Sequence, residues 1–357
     1  MQANNALGAA RNVPEAADQD AAGKKFALWL ELLEYARWAP SPHNMQSWRF
    51  KPESEDRLTL FYDPERLLPG TDPTGRFCTV GFGIVCEMLN VAAAHHGLEV
   101  QTEFLCERLD ATKSGVQPFA SLTLVPRTRS EPLDRRLILE RRTSRLPYDD
   151  VPVAQPVLDE LAAIADSYGH KLEFSTEPKE VGWVVRLNAK TMFFDMSEEV
   201  ARKEVGGWIR YSMAEAFRRA DGLAAHCMCF PGYLMQLFVK HNWLFRIPGV
   251  YELSLALYTR SMKGTRTVAW ISGPFETHEE CDRAGRMLAR LWLTMTRAGV
   301  YLHPFGSVIT NGRAHAEMVE HFANAQRKHD LWMLVRLGHS ALPPRAERLT
   351  LDQLLVK

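Results

Sequence analysis

Cysteine is scarce, six residues in 357. So few exclude a disulfide-built scaffold. No two of them form a C-x-x-C pair, which removes the commonest zinc-ribbon and thioredoxin signals. Net charge is missing too, with 43 basic against 43 acidic side chains. A protein that coats itself in nucleic acid needs a net basic face, so none is expected as a partner. A balanced total still allows a local basic pocket. Residues 1–25 contain no apolar run of signal-peptide length and read as a disordered tail. The longest uncharged run, Leu223 to Val239, is interrupted by His226, Pro231, Gly232 and Gln236. A broken span at membrane depth needs other spans around it, and membrane contact is not expected. No G-x-S-x-G elbow or Walker loop occurs. What remains is ordinary for a globular chain, 46% hydrophobic and 24% charged. A reduced, cytoplasmic protein is expected.

Two segments share one plan: a long apolar helix, a glycine stop, then a strand. In the first, Ile84, Met88 and Val91 recur at helical spacing, Gly97 stops the helix, and Ser121–Val125 reads as a strand. In the second, the helix around Ala284–Ala298 stops at Gly299, and Leu331–Leu337 reads as a strand. A further helix is expected over Leu133–Arg142. Two copies of one plan suggest an intrachain pseudo-dimer. The expected division is a tail (1–25), a first half (26–130) and a second half (131–357). Between strands at Leu172–Ser175 and Thr267–Ile271 lies a helical, aromatic-rich insertion, about 182–263. An insertion that apolar must cover something.

The most informative words are Arg37-Trp-Ala-Pro-Ser-Pro-His-Asn-Met-Gln-Ser-Trp-Arg-Phe50. A helix over Phe26–Ala36 runs into Pro40. The loop after it packs Ser41, His43, Asn44 and Gln46 together, and such a loop can hydrogen-bond a polar heterocycle. Ala-Pro-Ser-x-x-Asn-x-Gln-x-Trp-x-Phe resembles the flavin-binding box of the nitroreductase-like FMN oxidoreductases. It departs from that pattern at Pro42, where a second Ser is usual, and at Ser47, where Pro is usual. The resemblance implies an α+β fold of antiparallel sheets flanked by helices. It also implies that Pro40, Ser41, Asn44 and Gln46 lie against FMN.

In that family an Arg-Arg-Ser-x-Arg box precedes the loop. Here it follows much later, as Arg141-Arg-Thr-Ser-Arg-Leu-Pro-Tyr148. The second half in turn lacks the Pro-Ser-x-x-Asn loop and reads Asp166-Ser-Tyr-Gly-His170. Each half therefore keeps one box and lacks the other, an arrangement that resembles the twin-domain Acg-like branch. One complete FMN site per chain is implied, with no second copy required. By resemblance, Arg141 and Thr143 face the phosphate and ribityl end, and Arg142 is a further expected cofactor contact. A planar guanidinium suits a phosphate dianion. Arg145 is expected at the N1–C2=O edge, where a fixed cation stabilises the reduced ring. The alternative for these arginines is a helix C-terminus, where cations favour the macrodipole. Tyr301-Leu-His-Pro-Phe-Gly-Ser307 resembles the family's Pro-x-Glu-Gly segment without its Glu, which puts Gly306 and Ser307 near flavin N5. Arg345 is the expected phosphate contact of the terminal segment, with Arg348 in reserve.

These features predict an FMN-dependent oxidoreductase that moves hydride through flavin N5 to or from a small flat substrate, such as a nitroaromatic, a quinone or a small metabolite. NAD(P)H is the expected donor. The flavin carries the chemistry, so no catalytic side chain and no metal is expected. The rival expectation is a non-catalytic FMN-storage protein whose insertion closes the site.

Overall fold

The computed structural model describes residues 26–322 and 331–356. The tail expected over 1–25 lies outside the described residues. The first half runs α1 (Ala27–Ala36), β1 (Trp48–Pro52), β2 (Arg57–Tyr62), α2 (Arg76–Ala93), β3 (Leu98–Phe104) and β4 (Gln117–Pro126). The short helix α3 (Arg136–Glu140), then α4 (Gln155–Ser167) and β5 (Lys171–Ser175), open the stretch expected as the second half. The insertion follows as α5 (Pro178–Ser197), α6 (Glu199–Trp208), β6 (Ile209–Arg210), α7 (Met213–Arg219), β7 (Leu223–Ala224), α8 (Gly232–Lys240) and α9 (Val250–Ser261). Then come β8 (Thr267–Ser272), α10 (His278–Arg297), β9 (Tyr301–Pro304), α11 (Gly306–Thr310), α12 (Gly312–His321), β10 (Leu331–Gly338) and α13 (Leu351–Leu354).

The two four-stranded sheets are antiparallel and have equivalent strand orders. The first is β1-β2-β4-β3 and the second β5-β8-β10-β9. Each is reached by the same path: helix, two strands, long helix, two strands. The paths differ in two connections: α11 and α12 stand between β9 and β10 with no counterpart between β3 and β4, and the larger difference lies between the first two strands. A short turn joins β1 to β2, whereas the whole insertion stands between β5 and β8. Burial follows from this. β2 alternates exposed and buried residues, the mark of a sheet with one covered face. β8 and β10 are buried at every position, because the insertion packs Val184 and Val185 of α5 with Trp270, Phe305 and Leu334.

The long helices α2 and α10 hold the halves together. Gly97 and Gly299 terminate them in the left-handed region, at φ 69° and 67°. A Cβ on Gly83 would overlap the Asp282 carbonyl, and one on Gly285 would overlap that of Val80. Glu87 of α2 reaches across to Arg290 of α10 at 2.7 Å. Helix 76–96 is apolar and long enough to cross a membrane, but its most apolar stretch is 83% buried inside the protein.

Two local expectations change. The helix expected over Leu133–Arg142 is only α3, which ends before the arginines. Arg141 turns the backbone extended, at ψ 129°, and sends its side chain inward at 5% exposure. The tail of the chain also leaves the second half: α13 packs on α1 and β1, and the Val356 amide donates to Phe50 O at 2.8 Å.

Candidate functional site

The loop after α1 is strained. His43, Asn44 and Gln46 adopt φ 49°, 54° and 51°, in the left-handed region that costs a non-glycine residue roughly 1–2 kcal/mol. Several hydrogen bonds hold it. Ser41 Oγ accepts from the Gln46 amide at 3.0 Å. The Gln46 side chain is fully buried and committed to protein partners: Nε2 donates to Asn44 O (3.3 Å) and Ala220 O (2.9 Å), and Oε1 accepts from the Leu349 amide (2.9 Å). Asn44 Nδ2 donates to Gly222 O (3.3 Å) and Glu347 O (3.1 Å), while Asn44 O accepts from the Gly222 amide (3.1 Å). Asn44 Oδ1 is buried without a hydrogen-bond partner. The loop thus ties together the first half, the insertion and the C-terminal tail.

Above this loop lies a cavity of about 390 Å³. Pro40, Ser41, Asn44, Arg141, Arg142, Thr143, Arg145, Gly306, Ser307 and Arg345 all line it. Of the residues singled out in the sequence, Gln46 does not line it; its role is to fix the loop. Gly81 and Ile84 of α2, Trp292 of α10 and Met333 of β10 form the apolar floor. The insertion forms the roof with Met192, Met196, Val205, Leu223, Cys227 and Met228. Gly81 and Gly83 therefore have separate jobs, one on the cavity wall and one at the helix crossing.

One end of the cavity is crowded with arginines. The Arg141 guanidinium lies 4.4 Å from the Trp292 ring centroid, and that of Arg345 lies 3.3 Å from the Trp38 ring centroid. Arg142 Nη1 donates to Pro343 O at 2.6 Å. Arg348 Nη1 donates to Glu347 O at 3.0 Å. Rings and carbonyls, not acids, hold these groups: among the described residues none of the four makes an ion pair. Nε and Nη1 of Arg141, Nη2 of Arg345 and Nε of Arg348 are buried with no hydrogen-bond partner. Burial, then Arg348 and Arg345, push Arg141 well below the ordinary guanidinium value. Arg345 and Arg348 are pushed down to about 10, again mainly by burial. Buried cations without acids are expensive, and a bound dianion would offset that cost.

The other end is built by β9 and the segment before it. The Ser144 amide donates to Leu302 O at 3.2 Å, which carries Thr143 and Arg145 to the cavity. Arg145 Nη1 reaches Cys227 O at 3.5 Å. Burial, then Arg145, depress His43 to about 4, so it is neutral at physiological pH. His303 also lines the cavity, and its Nδ1 accepts from Arg336 Nε at 3.0 Å. From the roof, Asp195 Oδ1 accepts from Asn311 Nδ2 at 2.8 Å, and burial raises its carboxyl above the usual range. The sequence places His43 in the polar loop without a role of its own, and singles out neither His303 nor Asp195. Both histidines lie inside the quoted segments, but Asp195 carries no local signal.

No family model matches the chain. The "Probable NAD(P)H nitroreductase PigM" of Serratia sp. (strain ATCC 39006) is 24% identical over 303 residues, covering 81% of this chain and 82% of that protein. The "Putative NAD(P)H nitroreductase acg" of Mycobacterium tuberculosis (strain ATCC 25618 / H37Rv) is 35% identical over 120 residues. Both of these similar proteins carry the name NAD(P)H nitroreductase. The match to acg spans about a third of each protein, 34% of this chain and 35% of the relative. Among solved structures, the FMN-dependent nitroreductase NfnB from Mycobacterium smegmatis in complex with NADPH aligns at TM-score 0.35 with 15% identity. That alignment covers 61% of this chain and 94% of NfnB.

The polar atoms left over in the cavity suit FMN. The unpaired donors of Arg141, Arg345 and Arg348 match a phosphate, and Asn44 Oδ1 is an acceptor awaiting a donor. The apolar floor and methionine-rich roof match a flat ring system.

Proposed function

We propose that this chain is an FMN-dependent oxidoreductase that draws electrons from NAD(P)H and reduces a small flat substrate, such as a nitroaromatic or a quinone. The observation that carries the reading is the group of acid-free arginines at one end of a roofed apolar cavity. The names of the relatives, NAD(P)H nitroreductases, support it.

We read the chain as two fused copies that assemble one site. The first contributes the Pro40–Asn44 loop. The second contributes Arg141–Arg145 and Gly306–Ser307. When bound, FMN would supply hydride chemistry at N5, which is why the protein needs no nucleophile of its own. Arg141, Arg345 and Arg348 would hold the phosphate, with Arg142 and Thr143 beside them. Arg145 would favour negative charge on the ring edge it faces. The roof residues Met192, Met196 and Met228 would cover the ring and limit its contact with water.

A second reading is storage of FMN without turnover. It is favoured by how the insertion is fastened down. Gly222 and Ala220 bond the Asn44 loop, Cys227 O bonds Arg145, and Glu204 accepts from the Gly70 and Thr71 amides and the Thr71 hydroxyl.

Absorbance of the purified protein tests both readings. One FMN per chain is expected, and a colourless protein that ignores added FMN would end both. Two equivalent FMN per chain would refute the single composite site. Rapid anaerobic bleaching by NADPH supports the oxidoreductase, and its absence supports storage.

A further inference from the structure

His303 of β9 stands directly opposite Arg336 of β10 in the antiparallel ladder. Arg336 is fully buried. Its Nη1 donates to Thr265 Oγ1 at 3.1 Å and its Nη2 to Leu146 O at 3.0 Å. Its plane sits 4.2 Å from the Tyr148 ring centroid. The remaining donor, Nε, points at His303 Nδ1 at 3.0 Å. Among the described residues Arg336 pairs with no carboxylate.

This contact decides the state of the imidazole. A guanidinium has donors and no acceptor, so Nδ1 of His303 must present its lone pair. A neutral ring that accepts at Nδ1 carries its proton on Nε2. Protonating Nδ1 would break the Arg336 bond and set two cations together. The charged groups facing His303 are Arg336 and Arg145, both positive, and together with burial they push its pKa well below the ordinary value.

We propose that His303 is a fixed, neutral Nε2–H donor to the ligand group that Arg145 faces in the cavity. The role rests on the flavin reading above: the partner is a carbonyl or ring-nitrogen acceptor on an electron-accepting heterocycle. A neutral imidazole polarises such an acceptor without titrating at physiological pH. Arg145 supplies the charge and His303 the direction, while Arg336 acts as the positioning residue that sets the tautomer.

Nitrogen-15 NMR of the labelled protein without ligand reads the tautomer directly. The expected result is Nε2 protonated and Nδ1 bare from pH 5 to pH 8. A proton on Nδ1, or titration near the ordinary histidine value, would overturn the assignment. The second measurement is FMN affinity. His303→Phe should weaken it about 3- to 10-fold, the effect of one lost hydrogen bond, and make the bound flavin harder to reduce. His303→Gln, which keeps a donor, should recover part of both. A His303→Phe protein that binds FMN as tightly as wild type refutes the donor role. If the wild-type protein takes up no FMN, the flavin reading fails and the ligand assignment falls with it, while the NMR result still decides the tautomer.

Discussion

Gly83 and Gly285 occupy equivalent places in the two long helices, each seven residues past its helix's first residue, Arg76 or His278. Each sits where a side chain would strike the other helix: Gly83 on the carbonyl of Asp282, Gly285 on the carbonyl of Val80. The residues struck are three positions before the reciprocal glycines, so the crossing is reciprocal. A methyl at either position should push the helices apart. Gly83→Ala or Gly285→Ala should each cost about 1–3 kcal/mol or more, because the obstacle is backbone and cannot rotate away. The double variant should cost less than the sum, since one separation relieves both overlaps. Thermal unfolding checks this.

Arg141 is buried with two donor nitrogens unpaired. Arg141→Met should therefore leave the ligand-free protein as stable as wild type or more so, because it removes a costly buried cation. It should weaken FMN binding about 10- to 100-fold, the range for charge-assisted hydrogen bonds. Inorganic phosphate should raise the melting temperature of wild type by linkage, and that response should shrink in the variant. Thermal shift with and without each ligand separates the effects.

Asn44 clasps the insertion through Gly222 and the tail through Glu347. Asn44→Ala should loosen both and free residues 209–224 for faster hydrogen exchange. FMN should bind more weakly in the same variant. Unchanged exchange in that segment would mean that the clasp does not hold the roof.

The Asp195 carboxyl is raised by burial above the usual range. The folded protein therefore binds this proton more tightly than the unfolded chain does. Stability is lost as pH rises from the unfolded carboxylate value through the raised folded one. Asp195→Asn keeps an oxygen for Asn311 and should raise stability at neutral pH, by no more than about 1 kcal/mol because solvent reaches the site. The gain should vanish at acidic pH, below the ordinary carboxylate range. Denaturant titrations at pH 3.5 and pH 7 test the sign.

Much of the frame was readable before any coordinates. Gly97 and Gly299 announced the ends of two matching helices, since a left-handed stop favours glycine. The spacing of Pro40, Ser41 and Asn44 marked a loop rich in polar groups, and the order of Arg141 and Arg145 marked a second box. Local chemistry is encoded locally, so such features survive in one dimension. Gln46 was not separable from its neighbours in this way. Its amide looks like a ligand contact in sequence and becomes a strut only when Ala220 and Leu349 arrive to take its hydrogen bonds.

The sequence by itself determined the two kinds of box, the doubled helix plan and the apolar insertion. Only the tertiary structure decided that the boxes share one cavity, because residues about a hundred positions apart meet only when α2 and α10 cross at their glycines. It also decided that α3 ends before Arg141, which turns a cation suited to a helix end into one buried without an acid. Tertiary packing likewise set His303 against Arg336, a pairing fixed by strand register, to which no run of neighbouring residues points.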